Sequence, residues 1–453
     1  MTQVSPPTNP IAGAGSGQST SARPRRSTRV RFAYVVLVVA VLAGLASLGA
    51  SAASQRDPLT ASLDQLTTGV RFDLVRWEID ALTGKVGDLL RNPAAGLSPQ
   101  EADTLVRDYI TAAQRAGQLE SEIELIFSDP ATTSPDAATA GQRAELATIR
   151  SQLDEQASTV EAILQGQLSQ IVQREGLETA GAVWPPPQMR FTEPPQLLVV
   201  SPRDRIQRLR SVDLLADLDT AGRDQLERTV EEQDNLSAYV TGIGGYGVFP
   251  TMVVDRYGLP WTAETIAHEW IHTYLAFRPL GWSFLQGGDA ITINETVASI
   301  AGDEMGQLLL QTYYPDLVPP PPPSANQATA AAPADPDKFD FGSEMHATRV
   351  TVDEMLAAGL VDEAEQYMEA RRQLFVENGY RLRVLNQAYF AFHGSYATGA
   401  AATDPIGPKL ERLRELSPSL KDFMHLVSGL TSAVELDQVL AQQEALHAGT
   451  PQP

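Results

Sequence analysis

The chain has no cysteine, only four lysines and only six histidines in 453 residues. Without cysteine there are no disulfides, no thiolate metal ligands and no cysteine nucleophile. Acidic side chains number 56 against 34 basic ones, giving a net charge of −22 and a pI of about 4.7. Such a surface repels phosphate backbones, which excludes a nucleic-acid partner. The length suffices for two or three domains with sizeable cores. Scarce lysine beside plentiful alanine and arginine is the usage of a GC-rich bacterium.

The little basic charge there is gathers at one place. Arg23, Arg25, Arg26, Arg29 and Arg31 precede an uncharged apolar run, Phe32 to Ala53. That run matches the ~20 residues needed to cross a bilayer as a helix. By the positive-inside rule, residues 1–31 form a disordered basic tail in the cytoplasm and the rest is exported. The competing reading is a signal peptide cleaved near Ala50–Ala52, which would release the protein. The apolar run is long for a signal peptide and so is its polar leader, which favours an uncleaved single-pass anchor in the lipid bilayer of a bacterial cell.

Residues 54–183 carry helical periodicity. Leu63, Leu66, Val70, Leu74 and Trp77 recur at three- and four-residue steps, and Leu146, Ile149, Leu153, Val160, Ile163 and Ile171 share a face farther on. Ser98 followed by Glu101 reads as a capping box between them. The segment holds no chemistry and is expected to be a helical stalk or bundle. "VWPPPQMRFTEPP" marks a boundary, and 184–446 form the second unit. There "QLLVV" and "TMVVD" read as strands, while "DLDTAGRDQLERTVEEQDNLSAYVTG" and "LPWTAETIAHEWIHTYLAF" read as helices. A Pro/Ala-rich stretch at about 319–338 reads as a disordered surface loop. The expected fold class is mainly α, of α+β type, with a small sheet and packed helices.

Two of the six histidines stand in "TIAHEWIHTY". On a helix, residues i and i+4 share a face, about 6 Å apart along the axis. His268 and His272 can therefore point at one ion, and imidazole suits Zn²⁺. Glu269 lies beside that ion, where it can take a proton from water the metal activates. A catalytic zinc site needs a third protein ligand, and Glu295 in "NETVA" is the candidate. The residues after it are small and apolar, which lets its helix pack closely on the first. The bland reading of Glu295 is a carboxylate favoured by a helix N-terminus.

"HEWIH" followed by "NETVA" resembles the gluzincin metallopeptidases, and among them bacterial aminopeptidase-like proteins. That resemblance runs from about residue 242 to 430 and includes "LNQAYFAFHGSYA", with Asn386, Ala388 and Tyr396. It implies a zincin-like domain in which the two motif helices lie side by side, acting on peptide or protein substrates. It implies Tyr396 as the donor to the oxyanion, with His393 as a second candidate. In some gluzincins an aspartate follows the glutamate ligand by four residues; here Ser299 stands there and Asp303 one turn later. The aminopeptidase signature G-x-M-E-N is absent. The sequence thus predicts a membrane-anchored, extracytoplasmic zinc metallopeptidase. The alternative is a non-catalytic membrane-tethered scaffold or envelope sensor on a peptidase-like fold.

Overall fold

The computed structural model describes residues 57–448 except 129–130, 285–286, 319–338, 397–400 and 402–404. The expected membrane segment at 32–53, the basic tail before it and the Pro/Ala-rich loop lie outside the described residues. Among the described residues no helix is long and apolar enough to cross a membrane.

Local chemistry sets the first helices. Helix α1 (Pro58–Leu66) and helix α2 (Leu74–Arg91) each start at an aspartate that accepts a backbone hydrogen bond, Asp57 from Thr60 and Asp73 from Arg76, both at 3.0 Å. Asn92, in the left-handed region at φ 49°, ends α2. Helix α3 (Pro99–Ser128) opens with the expected capping box: Ser98 N donates to Glu101 Oε2 (2.7 Å) and Glu101 N to Ser98 Oγ (3.2 Å). A short α4 (Pro135–Ala138) leads into α5 (Ala140–Arg174).

Two three-stranded sheets follow. Strand β1 (Met189–Phe191) precedes β2 (Gln196–Pro202) and β3 (Arg210–Leu214), then α6 (Thr220–Asp234) and β4 (Leu236–Gly242). Strand β2 is central and antiparallel to both neighbours, with Val199 opposite Ser211 and Tyr239. The polar periodicity predicts a single helix through Gly242. Instead Asn235, at φ 53°, stops α6, and "LSAYVTG" becomes β4 with Ala238 and Val240 buried. The second sheet has β6 (Thr251–Val253) at its centre, parallel to β1 and antiparallel to β5 (Gly245–Tyr246).

The rest is helical: α7 (Leu259–Leu275), α8 (Pro279–Phe284), α9 (Asp289–Tyr313), α10 (Phe341–Ala357), α11 (Val361–Glu377), α12 (Gln387–His393), α13 (Ile406–Leu416), α14 (Leu420–Val427) and α15 (Ala433–Ala448). Helices α7 and α9 pack backbone to backbone. A Cβ built on Gly302 would lie 2.7 Å from His268 Cα, and one on Gly306 would lie 2.7 Å from Glu264 Cα. The small residues of α9 are what bring the two helices together.

The expected separation of a stalk from the second unit does not hold as two cores. Val106, Tyr109 and Ile110 of α3 and Val160, Leu164 and Ile171 of α5 share one apolar cluster with Trp270, Ile271 and Val297. Polar contacts tie the same parts: Tyr109 donates to Asp255 (2.8 Å) and Phe191 N to Glu161 Oε1 (2.8 Å). Buried Glu161 also pairs with buried Lys85 of α2. The physical reason is that periodicity reveals a helix's apolar face without naming its partner. Here that face joins residues of α7 and α9 in one cluster.

Candidate metal centre

Helix α7 presents His268 and His272 one turn apart, and α9 presents Glu295 opposite them. The two Nε2 atoms are 3.1 Å apart. Glu295 Oε2 lies 3.8 Å from His268 Nε2 and 3.5 Å from His272 Nε2. One donor atom from each residue thus falls within 4.8 Å of the others, with no backbone rearrangement needed. Glu295 is the seventh residue of α9, which begins at Asp289, so it is not an N-terminal carboxylate held by the helix dipole.

The residues present fit a divalent cation. Glu295 Oε2 is buried and has no hydrogen-bond partner, a costly state that a cation would relieve. Two imidazoles and one carboxylate are a donor set suited to zinc. The electrostatics point the same way. Burial alone pulls the pKa of His272 down, but the charge of Glu295, then that of Glu269, outweighs it and pushes it up to about 9. Burial likewise works to raise Glu295, yet the two histidines hold it well below the usual carboxylate range. The pocket therefore draws positive charge between these three side chains.

A further residue fixes the geometry. Asn294 is 3% exposed, and its Oδ1 accepts from His272 Nδ1 at 2.7 Å. That bond leaves the Nε2 of His272 free for the shared centre. Ser299 is spent on the Glu295 carbonyl (2.9 Å), while Asp303, one turn on, lies within electrostatic reach of His268. The signal for Asn294 in the sequence is its place directly before Glu295.

Glu269 is buried beside the cluster at 7% exposure. Burial pushes its carboxyl up, opposed by the two histidines and assisted by Glu295. The β5 hairpin forms a roof over it. A Cβ on Gly245 would collide with the Glu269 carboxylate, and one on Gly247 would lie 2.7 Å from His272 Cβ. The glycines of "GIGGYG" are thus where a strand comes close to the site. Trp270 and Ile271, at 2% and 0% exposure, pack away from it into the core.

The two oxyanion candidates part company here. Tyr396 faces the cluster: its ring centroid is 6.5 Å from that of His268, and the Glu295 charge, then burial, then Glu269 raise its phenol well above the ordinary value. Arg208, on the β2–β3 connection and bonded to Ser211 Oγ (2.7 Å), opposes that rise. His393 has other company. Its ring lies 4.2 Å from Tyr389, 5.0 Å from Phe392 and 5.9 Å from Tyr239, and burial lowers its pKa to about 4. It is a neutral member of an aromatic cluster under α12.

No family model matches this chain, and no curated protein or solved structure does either.

Proposed function

We propose that the chain is a gluzincin-type zinc metallopeptidase, held at a bacterial membrane by its N-terminal segment, that hydrolyses peptide bonds outside the cytoplasm. The observation that carries this reading is the meeting of His268, His272 and Glu295, with Glu269 buried beside them. Zinc bound there would supply Lewis acidity toward water and the peptide carbonyl. Glu269, made more basic by burial, takes the proton of the attacking water and delivers it to the departing amine. Tyr396 keeps its proton beside Glu295 and donates it as a hydrogen bond to the developing oxyanion. Asn294 holds the His272 ring in place throughout.

Metal content tests the reading. Purified full-length protein supplied with zinc is expected to hold about one zinc per chain by elemental mass spectrometry, as a three-ligand site requires. His272→Ala is expected to lose it while melting cooperatively. Zinc-free wild type, or equal zinc in the variant, would end the proposal. Asn294→Ala is expected to weaken zinc binding by ~10–100-fold, the usual cost of losing a partner that orients a ligand. Competition with a chromophoric chelator measures this, and unchanged affinity would deny Asn294 that part.

A further inference from the structure

The wall beside the metal residues carries a cation that the proposed reaction does not use. In the pairing of β2 with β3, Ser211 stands opposite Val199 and Asp213 opposite Leu197, so these side chains share one face of the sheet. Leu197 and Val199 pack there with Phe392, and Tyr396 lies against the same cluster. The ring centroids of Phe392 and Tyr396 are 6.0 Å apart, and that of Tyr396 is in turn 6.5 Å from His268. At the other border of the face, Asp213 accepts from the Tyr246 hydroxyl at 3.1 and 3.2 Å. Tyr246 lies between Gly245 and Gly247, the two glycines that close over Glu269 and His272. One sheet face thus joins Tyr396 to the roof of the site.

Arg208 sits on this face. Its Nε donates to Ser211 Oγ (2.7 Å), and its Cζ is 6.0 Å from the Phe392 ring centroid. Those two contacts hold the guanidinium between Ser211 and Phe392. Its charge is felt at Tyr396 on one side and at Tyr246 on the other. The side chain is partly exposed, and its two terminal nitrogens have no hydrogen-bond or ion-pair partner among the described residues. Asp213, on the same face, bonds Tyr246 rather than Arg208. An arginine fork with both terminal nitrogens open is the complement of a carboxylate, which it grips with two parallel bonds. A merely structural role, resting on Phe392 and tying down Ser211, needs only Nε and the flat face of the guanidinium.

We propose that Arg208 is a specificity-determining residue of the site, binding a carboxylate of the peptide close to the scissile bond. The carboxylate can be the free C-terminus of the peptide or an acidic side chain within it. The proposal rests on the peptidase reading and names its substrate class.

Matched hexapeptide libraries test it on zinc-loaded full-length protein. One set is uncharged with a free C-terminal acid, one is the same with a C-terminal amide, and one holds amides with a glutamate at each position in turn. The wild type is expected to cleave the acids or the glutamate amides with a kcat/KM about 10–100-fold above the neutral amides, the effect of one charge-assisted bidentate contact. The preferred set identifies the source of the carboxylate. Arg208→Gln is expected to lose that preference, while cleaving neutral amides at the wild-type rate and keeping its zinc. Arg208→Lys, the second variant, keeps the charge without the fork and is expected to fall between the two. Equal cleavage of the three sets by wild type, or an equal loss on all of them in Arg208→Gln, overturns the proposal. No cleavage of any set would instead count against the peptidase reading, and binding then decides. In calorimetric titration, acetyl-trialanine or acetyl-alanyl-glutamyl-alanine amide is expected to bind wild type more tightly than acetyl-trialanine amide does, and to lose that advantage in Arg208→Gln. An advantage absent in wild type, or kept in the variant as a carboxylate held by the metal would keep it, overturns the proposal.

Discussion

Glu269→Gln is expected to lower peptide hydrolysis by ~10²–10⁴-fold, the range in which a positioned general base contributes. Zinc content is expected to stay at the wild-type level. Holding a metal and moving a proton fall to different residues. His268, His272 and Glu295 supply the three donor atoms, and Glu269 is not among them. Glutamine preserves the size of a side chain closed in by the β5 hairpin, so the roof at Gly245 need not shift. What it removes is the proton acceptor. The effect belongs in kcat, because the amide can still hydrogen-bond water but cannot take its proton. His272→Ala, by contrast, loses metal and activity together. Peptide-library profiling of zinc-loaded wild type beside the variant separates the outcomes. Equal cleavage by both would remove Glu269 from the chemistry. No cleavage by the zinc-loaded wild type would favour the non-catalytic scaffold.

The legible parts of this molecule are those set by short-range chemistry. The Ser98–Glu101 capping box is local, and the structure has it where the sequence puts it. The i, i+4 spacing of His268 and His272 is a property of a single helix, and Glu295 was reachable because one motif follows the other at short range. The illegible parts are long-range. Strand β3 and the turn of α6 into β4 depend on pairing with β2 rather than on propensity, and only Asn235 hinted at the break. The apolar face of α5 was visible, but its place in one cluster with residues of α3, α7 and α9 was not. Tyr396 and His393 stand three residues apart, and only the family resemblance put Tyr396 first. The fold separates them by turning one toward Glu295 and the other among Tyr239, Tyr389 and Phe392.

Gly302→Ala is expected to destabilise the protein and to weaken its metal site, although alanine favours a helix over glycine by ~1 kcal/mol. The new methyl would lie 2.7 Å from His268 Cα, 2.8 Å from His268 N and 2.9 Å from His268 Cβ. Two of these atoms are backbone, so no side-chain rotation relieves the contact, and α7 and α9 must separate. Overpacking of this kind costs about 1–3 kcal/mol, which outweighs the gain in propensity. The displacement falls on a metal ligand, so zinc affinity is expected to drop with the melting temperature. Gly166→Ala provides the opposite case. It sits in the middle of α5 with no atom within 4 Å of an added Cβ, so propensity acts alone and the change is expected to stabilise by ~0.5–1 kcal/mol. Thermal melts of both variants, with and without zinc, measure the contrast. If Gly302→Ala stabilised as much as Gly166→Ala and kept its zinc affinity, the close approach of α7 and α9 could not be what sets His268 against Glu295.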